Sequence, residues 1–518
     1  MDQDIDDLVK TTTRGSIILL IGQVSSTLIL AAGMLLVARF LGPSKYGLFN
    51  KSQSVIGIAI LLMNLGVNQA LVRYIAKYRH EGKDDYIRVF MEVGSLLTVG
   101  ASVLMTIIVY LSSGFIANEI FNEPEQELYI QYLSISLIGH ALSTLAQGIT
   151  VGFERMELRS LITISYSFIK SLISPILVYI GLGTLGAIIG HTSPILLSGL
   201  VGSIFVIMIY RNQRKEPRAI SYFKVTKMIL TFGFPLYLST LMTGLLPQLF
   251  TTFLGIWETN EKIGNYSVAT NFSVLLSFIS IPISTTIFPL FSKLEKNQKE
   301  LEFLYRNAIK YSTLFGYPII FTIIALADQI IMVLFRPNYF YAANYLRIYI
   351  FAFILLGFGS AVNSVLLSGQ ERNDITLKST LGKFLVALTL SYYLIQKYGV
   401  IGLLYTFFIS NLVNDLINLF FINRIFSFRI NASFLLKMML ISLVSCLSVY
   451  YVFTIISVHP WIELFSGGML SVLIYFIGVL LLKVLTEQDY LYLWRISDNF
   501  GPFSPIIRCV IDFLIRFS

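Results

Sequence analysis

Apolar runs of 18 or more residues recur along the whole 518-residue chain, and each is long enough to cross a bilayer. Lipid offers no partners for backbone N–H and C=O groups, so such runs satisfy their backbone internally as helices. No polar stretch is long enough to hold a soluble core. Charged residues make up 13% of the chain, against about 25% in soluble domains, and the mean hydropathy is +0.75. The expected fold is an all-α polytopic membrane protein.

Fourteen spans are expected: Ser16–Ala38, Leu48–Val72, Val89–Leu111, Leu128–Val151, Leu161–Ile180, Thr184–Tyr210, Met228–Leu254, Tyr266–Phe291, Tyr311–Phe335, Tyr345–Leu367, Thr380–Gln396, Val400–Ile422, Phe434–Ile456 and Leu464–Leu482. The first run is too long for the apolar part of a secretory signal and no small-residue cleavage site follows it, so it reads as a retained span. Cys446 and Cys509 lie far apart in apolar settings, with no metal spacing and no disulfide framework.

Between the first two spans, Ala38–Asn50 reads as a short polar turn in which Gly42-Pro43 breaks the helix. It has an echo. Phe40-Leu41-Gly42 returns as Phe253-Leu254-Gly255, and Gly47 as Gly264 in Ile263-Gly264-Asn265-Tyr266-Ser267-Val268, 213 and 217 residues on. Gly152, Glu154 and Arg155 return as Gly369, Glu371 and Arg372 at 217, Leu158-Arg159-Ser160 as Leu377-Lys378-Ser379 at 219, and Gly183 and Gly186 as Gly399 and Gly402 at 216. Echoes in order at a near-constant offset imply two homologous halves of six spans each.

The organisation expected is a tail (1–15), a first six-helix lobe (16–210), a basic linker (211–227), a second six-helix lobe (228–424), helices thirteen and fourteen (425–485) and an amphipathic tail (486–518). With the N-terminus inside, 29 of the 38 Lys and Arg fall on the inner side and 5 in outer loops, counting Lys437 with the inner ones. That asymmetry puts both termini in the cytoplasm of a cell membrane. It also accounts for the net charge of +9 without nucleic acid. The loop 113–127, with Glu119, Glu123, Glu125 and Glu127 and no Lys or Arg, then faces outward. An even span count per half makes the repeats parallel, with a central cavity between them that rocking opens to either side.

The remaining four basic residues, Lys51, Lys170, Arg347 and Lys383, lie within spans, where a charge is costly and faces a cavity or a partner. Lys170 is mid-span in the fifth helix, Lys383 lies in its repeat mate, and Lys51 sits near the outer end of the second. Arg347 reads as a side chain snorkelling from the outer end of the tenth. A cationic cavity suits an anionic substrate such as a phosphate. The first six spans carry no mid-span carboxylate; Asp415 and Asp328, in the second half, could bind a coupling ion. His140 and His191 fall at span ends with no Asp or Ser at triad spacing, and the outer loops are short, which argues against an enzyme.

The turn Ala38-Arg39-Phe40-Leu41-Gly42-Pro43 with Tyr46-Gly47, the run Leu65-Gly66-Val67-Asn68-Gln69-Ala70-Leu71-Val72-Arg73-Tyr74-Ile75-Ala76, Phe232-Gly233-Phe234-Pro235 and Ile263–Ala269 resemble the polysaccharide-transporter, or oligosaccharide flippase, family. That family sits in the superfamily that also holds multidrug and toxin extrusion antiporters and lipid II flippases. The resemblance implies a V of two lobes with a cavity lined by spans one, two, seven and eight. It implies flipping of a polyprenyl phosphate- or diphosphate-linked oligosaccharide from the inner to the outer leaflet. The partners implied are that lipid, membrane lipids, and as candidates glycosyltransferases or a polymerase of the same pathway; no cofactor or metal is expected. Lys51 falls where a second-span cation is expected, and Arg39, Gln23, Asn50, Gln53, Asn68, Asn265 and Asn271 are candidates to line the cavity and meet sugar hydroxyls. Many relatives carry an acid in the seventh span, whereas Met228–Leu254 has none. The alternative on this scaffold is a cation-coupled multidrug antiporter, which needs a buried carboxylate that the first half does not offer.

Overall fold

The computed structural model describes residues 2–213, 221–294, 297–335, 337–456, 458–485 and 489. Among the described residues every regular element is helical. The chain divides into two compact units: Met1–Asn271 with Asn338–Tyr341 and Ala387–Thr406, and Phe272–Pro337 with Ala342–Val386 and Phe407–Ser518. The first unit therefore runs beyond the expected linker at 211–227 and takes in the seventh span. Residues 214–220 of that linker, and all of the tail 486–518 except Asp489, lie outside the described residues.

The first unit holds α1 (Asp2–Met63), α2 (Val67–His80), α3 (Asp84–Phe115), α4 (Gln126–Ser134), α5 (Ser136–Gly152), α6 (Met156–Leu177), α7 (Gly183–Arg211), α8 (Tyr222–Trp257) and α9 (Asn260–Asn271). The second holds α10 (Ser273–Lys293), α11 (Gln298–Ala325), α12 (Ala327–Phe335), α13 (Ala342–Phe351), α14 (Asn363–Gly369), α16 (Ala432–Ile455) and α17 (Pro460–Leu481). Helix α15 (Asn373–Phe426) contributes to both.

Nine helical stretches among the described residues are long and apolar enough to cross a membrane. Three of them, Gly22–Met63, Met156–Arg211 and Asn373–Phe426, have 42, 56 and 54 residues, and at about 1.5 Å per residue each exceeds two bilayer thicknesses of roughly 30 Å. Each is interrupted at glycine in the left-handed half of φ space: Gly42 (φ 74°, ψ 170°), Gly183 (φ 53°, ψ −134°) and Gly399 (φ 59°, ψ −136°). The expected turn Ala38–Asn50 is thus helical on both sides of a single break. Pro43 follows Gly42 directly, at a helix start where its missing N–H costs nothing. The second helix of this pair stops at Met63 rather than Val72, because Asn64–Gly66 turns before α2 begins. The expected tenth span is likewise bent, by 44° between Ala342–Phe358 and Asn363–Gly369.

Residues that echo one another in sequence share local backbone conformation. Gly183 and Gly399, matched at an offset of 216, share nearly the same φ and ψ. Glu154 and Glu371, matched at 217, are both left-handed (φ 59° and 57°). Each is followed by an arginine that closes the preceding helix identically: Arg155 N–H to the Thr150 carbonyl and Arg372 N–H to the Leu367 carbonyl, both at 2.8 Å.

Within the first unit, paired contacts fix helix directions. Gly22 meets Ser160 and Gly33 meets Ser171, so the start of α1 runs parallel to α6; Gly139 meets Ile195 and Gly202 meets Ala146, so α5 runs parallel to α7. The part of α1 after Gly42 runs antiparallel to α8: Lys51 meets Gly255, Ser54 donates to or accepts from Thr252 at 3.0 Å, Gly57 meets Gln248, and Leu61 meets Gly244. Small residues allow this close approach, the usual device of helix association in lipid.

Candidate functional site

The tightest crossing in the first unit joins the two copies of the turn motif. A Cβ placed on Gly47 would stand 1.7 Å from the Asn260 carbonyl oxygen, and one on Gly264 would stand 1.9 Å from the Pro43 carbonyl oxygen. The glycines matched at an offset of 217 therefore face each other, each with its Cα against the other helix's backbone. This contact of α1 with α9 sets the frame for a buried polar cluster a turn further along α1.

Lys51 is 1% exposed. Its Nζ lies 3.3 Å from Glu123 Oε1 and 4.6 Å from the centre of the Phe121 ring. Glu123 is held from two more sides, accepting from Asn260 Nδ2 at 2.9 Å and from Gln126 Nε2 at 3.1 Å. The Ser52 hydroxyl donates to Gln126 Oε1. The acidic loop at 113–127 thus folds one of its carboxylates back onto the buried cation, which is the pairing that burial of a charge requires. The lysine stem lies along Gly255, where a Cβ would come within 3.0 Å of its Cγ.

Two residues on, Gln53 belongs to a second cluster. Lys170 Nζ is 2.9 Å from His191 Nδ1 and 3.2 Å from the Tyr166 hydroxyl, and His191 Nε2 is 3.3 Å from Gln53 Nε2. An ammonium only donates, so Nδ1 accepts and the imidazole proton sits on Nε2. That proton needs an acceptor, and turning the Gln53 amide over supplies its Oε1, which otherwise has no partner among the described residues. His140 lies beside His191 with ring centres 5.9 Å apart and planes tilted by 38°, its own Nε2 buried and unpartnered among the described residues. Neither histidine is at a span end: His191 lies well inside α7 and His140 inside α5. Lys170 is positioned by its neighbours, since the Ser167 hydroxyl bonds Ser26 and Ser171 donates to the Ile29 carbonyl at 2.7 Å, tying α6 to α1.

The other expected residues distribute unevenly. Asn50 donates to the Tyr46 carbonyl at 2.7 Å and Asn271 to the Tyr46 hydroxyl at 3.1 Å, so both meet at one buried tyrosine. Asn265 is buried, donating to the Glu261 carbonyl at 2.8 Å and accepting from the Tyr341 N–H at 3.1 Å. Asn68 lies apart, against Gly148, on a cavity of 30 Å³ also lined by Asn64, Thr98 and Thr144, room for about one water. Gln23 is exposed and Arg39 half-buried. Lys383, Asp415 and Asp328 are in the second unit. Asp415 is 2% exposed, accepts from Asn414 Nδ2 at 3.5 Å, and is within electrostatic reach of half-buried Lys383. Asp328 is already engaged by Arg347, whose guanidinium also reaches Asn344 at 3.0 Å; this ion pair, rather than snorkelling alone, holds Arg347.

Residues 12–295 match the family described as polysaccharide biosynthesis protein, more than half of the chain. The chain belongs to that family. A probable low-salt glycan biosynthesis flippase of Haloferax volcanii is 21% identical over 93% of this chain and 98% of its own. The lipid III flippase of Escherichia coli is 23% identical over 73% and 91% respectively. Among solved structures, the lipid II flippase MurJ in an inward closed conformation superimposes with a TM-score of 0.73, at 17% identity, over 90% of this chain and 98% of that one. The fold of that structure is therefore shared over 90% of the chain, well beyond the residues of the family match.

Two side chains that matter here carried no motif. Glu123 could have been suspected as one of four acids in a loop without a base. His191 could have been found by depth: Lys170 and His191 flank the glycines 181 and 183 at comparable distances, so a hairpin there sets them side by side.

Proposed function

We propose that this chain is a flippase that carries a polyprenyl phosphate- or diphosphate-linked oligosaccharide from the inner to the outer leaflet. In this reading the chain makes fourteen crossings in two six-helix lobes, with both termini in the cytoplasm. The observation that carries it is the presence of two lysines, Lys51 and Lys170, inside the helices of one unit, among amides, imidazoles and hydroxyls and away from any strong acid of their own helices. Lys51 meets the phosphate; Glu123 is the resident carboxylate that the phosphate replaces. His140 and Asn260 each keep a buried polar atom without a protein partner among the described residues, and these serve sugar hydroxyls as the glycan passes. The prenyl chain stays in lipid. Asp415, the buried acid of the second unit, is the place for a coupling ion.

The test is a cell that lacks its own flippase and depends on this one for surface glycan. Lys51→Ala with Lys170→Ala should reach the membrane at normal levels, abolish surface glycan and leave the lipid-linked precursor to accumulate. Normal surface glycan in that double variant would refute the assignment.

A further inference from the structure

Helices α16 and α17 stand outside the repeat, and the transport reading gives them no task. Together with the start of α11 they enclose a cavity of about 290 Å³, lined by Tyr305, Arg306, Lys310, Arg429, Asn431 and Lys437, with Lys483 at its rim. Five cations thus converge from three separate stretches of chain. Glu302 pairs with Arg306 at 2.6 Å and Asp489 with Lys310 at 2.5 Å, while Lys437 donates to the Leu482 carbonyl at 3.0 Å. Arg429 is exposed, with no acid against it among the described residues. The first turn of α16 opens on the same cavity with Asn431 as its cap, accepting from Phe434 N–H at 3.1 Å, so the positive end of the helix dipole adds to the field.

Basic residues gather on the inner face of any such protein, but the insertion rule asks only for their side and not for their convergence. Here they ring a concave space between helices. Next to the lining residues Leu435 and Lys437 an apolar stripe begins along α16: Leu436, Leu440 and Val444, four residues apart, are 61%, 56% and 55% exposed. A charged pocket continuous with an exposed aliphatic track matches a lipid, with the headgroup in the pocket and an acyl chain along the track.

We propose that this cavity binds the phosphate-bearing headgroup of an anionic phospholipid of the inner leaflet. The site is separate from the Lys51 and Lys170 clusters, which lie in the other unit; it does not need the flippase reading, and only its assignment to the inner leaflet rests on the cytoplasmic termini proposed above.

The experiment uses the purified full chain in nanodiscs of phosphatidylcholine carrying a small fraction of fluorescent phosphatidylglycerol, with bound lipid read by energy transfer from the protein's tryptophans. Arg429→Gln with Lys437→Gln should weaken retention about thirtyfold, roughly a factor of five per cation. Arg372→Gln with Lys378→Gln removes the same charge from inner-face residues that do not line the cavity, and should leave retention unchanged. Thermal unfolding in pure phosphatidylcholine checks that both variants are folded; Arg429→Gln alone, at an exposed side chain, gives a fivefold loss should the double variant fail to fold. Equal losses in the two double variants would reduce the effect to general inner-face attraction and overturn the proposal. Unchanged retention in Arg429→Gln, Lys437→Gln would also overturn it. Tight binding of inorganic pyrophosphate in pure phosphatidylcholine, lost in that variant, would overturn the lipid source and leave a soluble anion as the ligand.

Discussion

Gly47→Ala is expected to destabilise the protein by about 3 kcal/mol or more, and Gly264→Ala by a similar amount. An added Cβ at either position falls inside a backbone carbonyl of the facing helix, 1.7 or 1.9 Å away. No flexible side chain stands in between to yield, so α1 and α9 must separate, and with them the anchor of Asn260 on Glu123. Gly100→Ala is the control. Nothing lies within 4 Å of a Cβ there, and alanine in a helix interior is favoured over glycine by about 1 kcal/mol. Thermal unfolding in detergent should therefore rank Gly100→Ala at or above the parent, and both crossing variants far below it. Parent-like unfolding of Gly47→Ala would mean that the two turn motifs do not pack as described.

Glu123→Ala should cost about 3 kcal/mol, because it strands the ammonium of Lys51 in a place where water does not reach it. The reverse change, Lys51→Met, should cost about 1 kcal/mol, since Glu123 is 28% exposed and keeps Asn260 and Gln126 as donors. The double variant Lys51→Met, Glu123→Ala should be less damaged than Glu123→Ala alone, giving a coupling energy of about 2 kcal/mol. The coupling should also survive high salt, which screens exposed pairs and not buried ones. A coupling near zero would place Lys51 in contact with water and remove Glu123 as its counter-charge.

Much of the fold was legible because a membrane leaves a chain few choices. Long apolar runs become helices, and Gly183 and Gly399, which echo one another in sequence, adopt the same conformation. The expected loop at Ala38–Asn50 failed for a local reason: one glycine at φ 74° followed by a proline changes helix direction without a loop, and polarity along 38–50 reflects helix contacts instead. The lysines were visible because charge in a span is conspicuous. Their partners were not. Glu123 reaches Lys51 from 72 residues away, and His191 reaches Lys170 across a hairpin, so neither pairing has a spacing to read. Asn68, a polar residue in a span beside the same motif, stands apart from both lysine clusters and faces a cavity large enough for about one water. Asp328 was offered for an ion and is engaged by Arg347.

The most direct measurement uses the purified chain in liposomes that carry a labelled polyprenyl-diphosphate oligosaccharide in both leaflets. An added membrane-impermeant glycosidase digests what faces outward, about half of the label at the start. With the parent protein nearly all of the label should become digestible as inner lipid crosses over, whereas Lys51→Ala with Lys170→Ala should leave the inner half protected, as in protein-free liposomes. Protection by the parent, or full digestion with the double variant, would contradict the account.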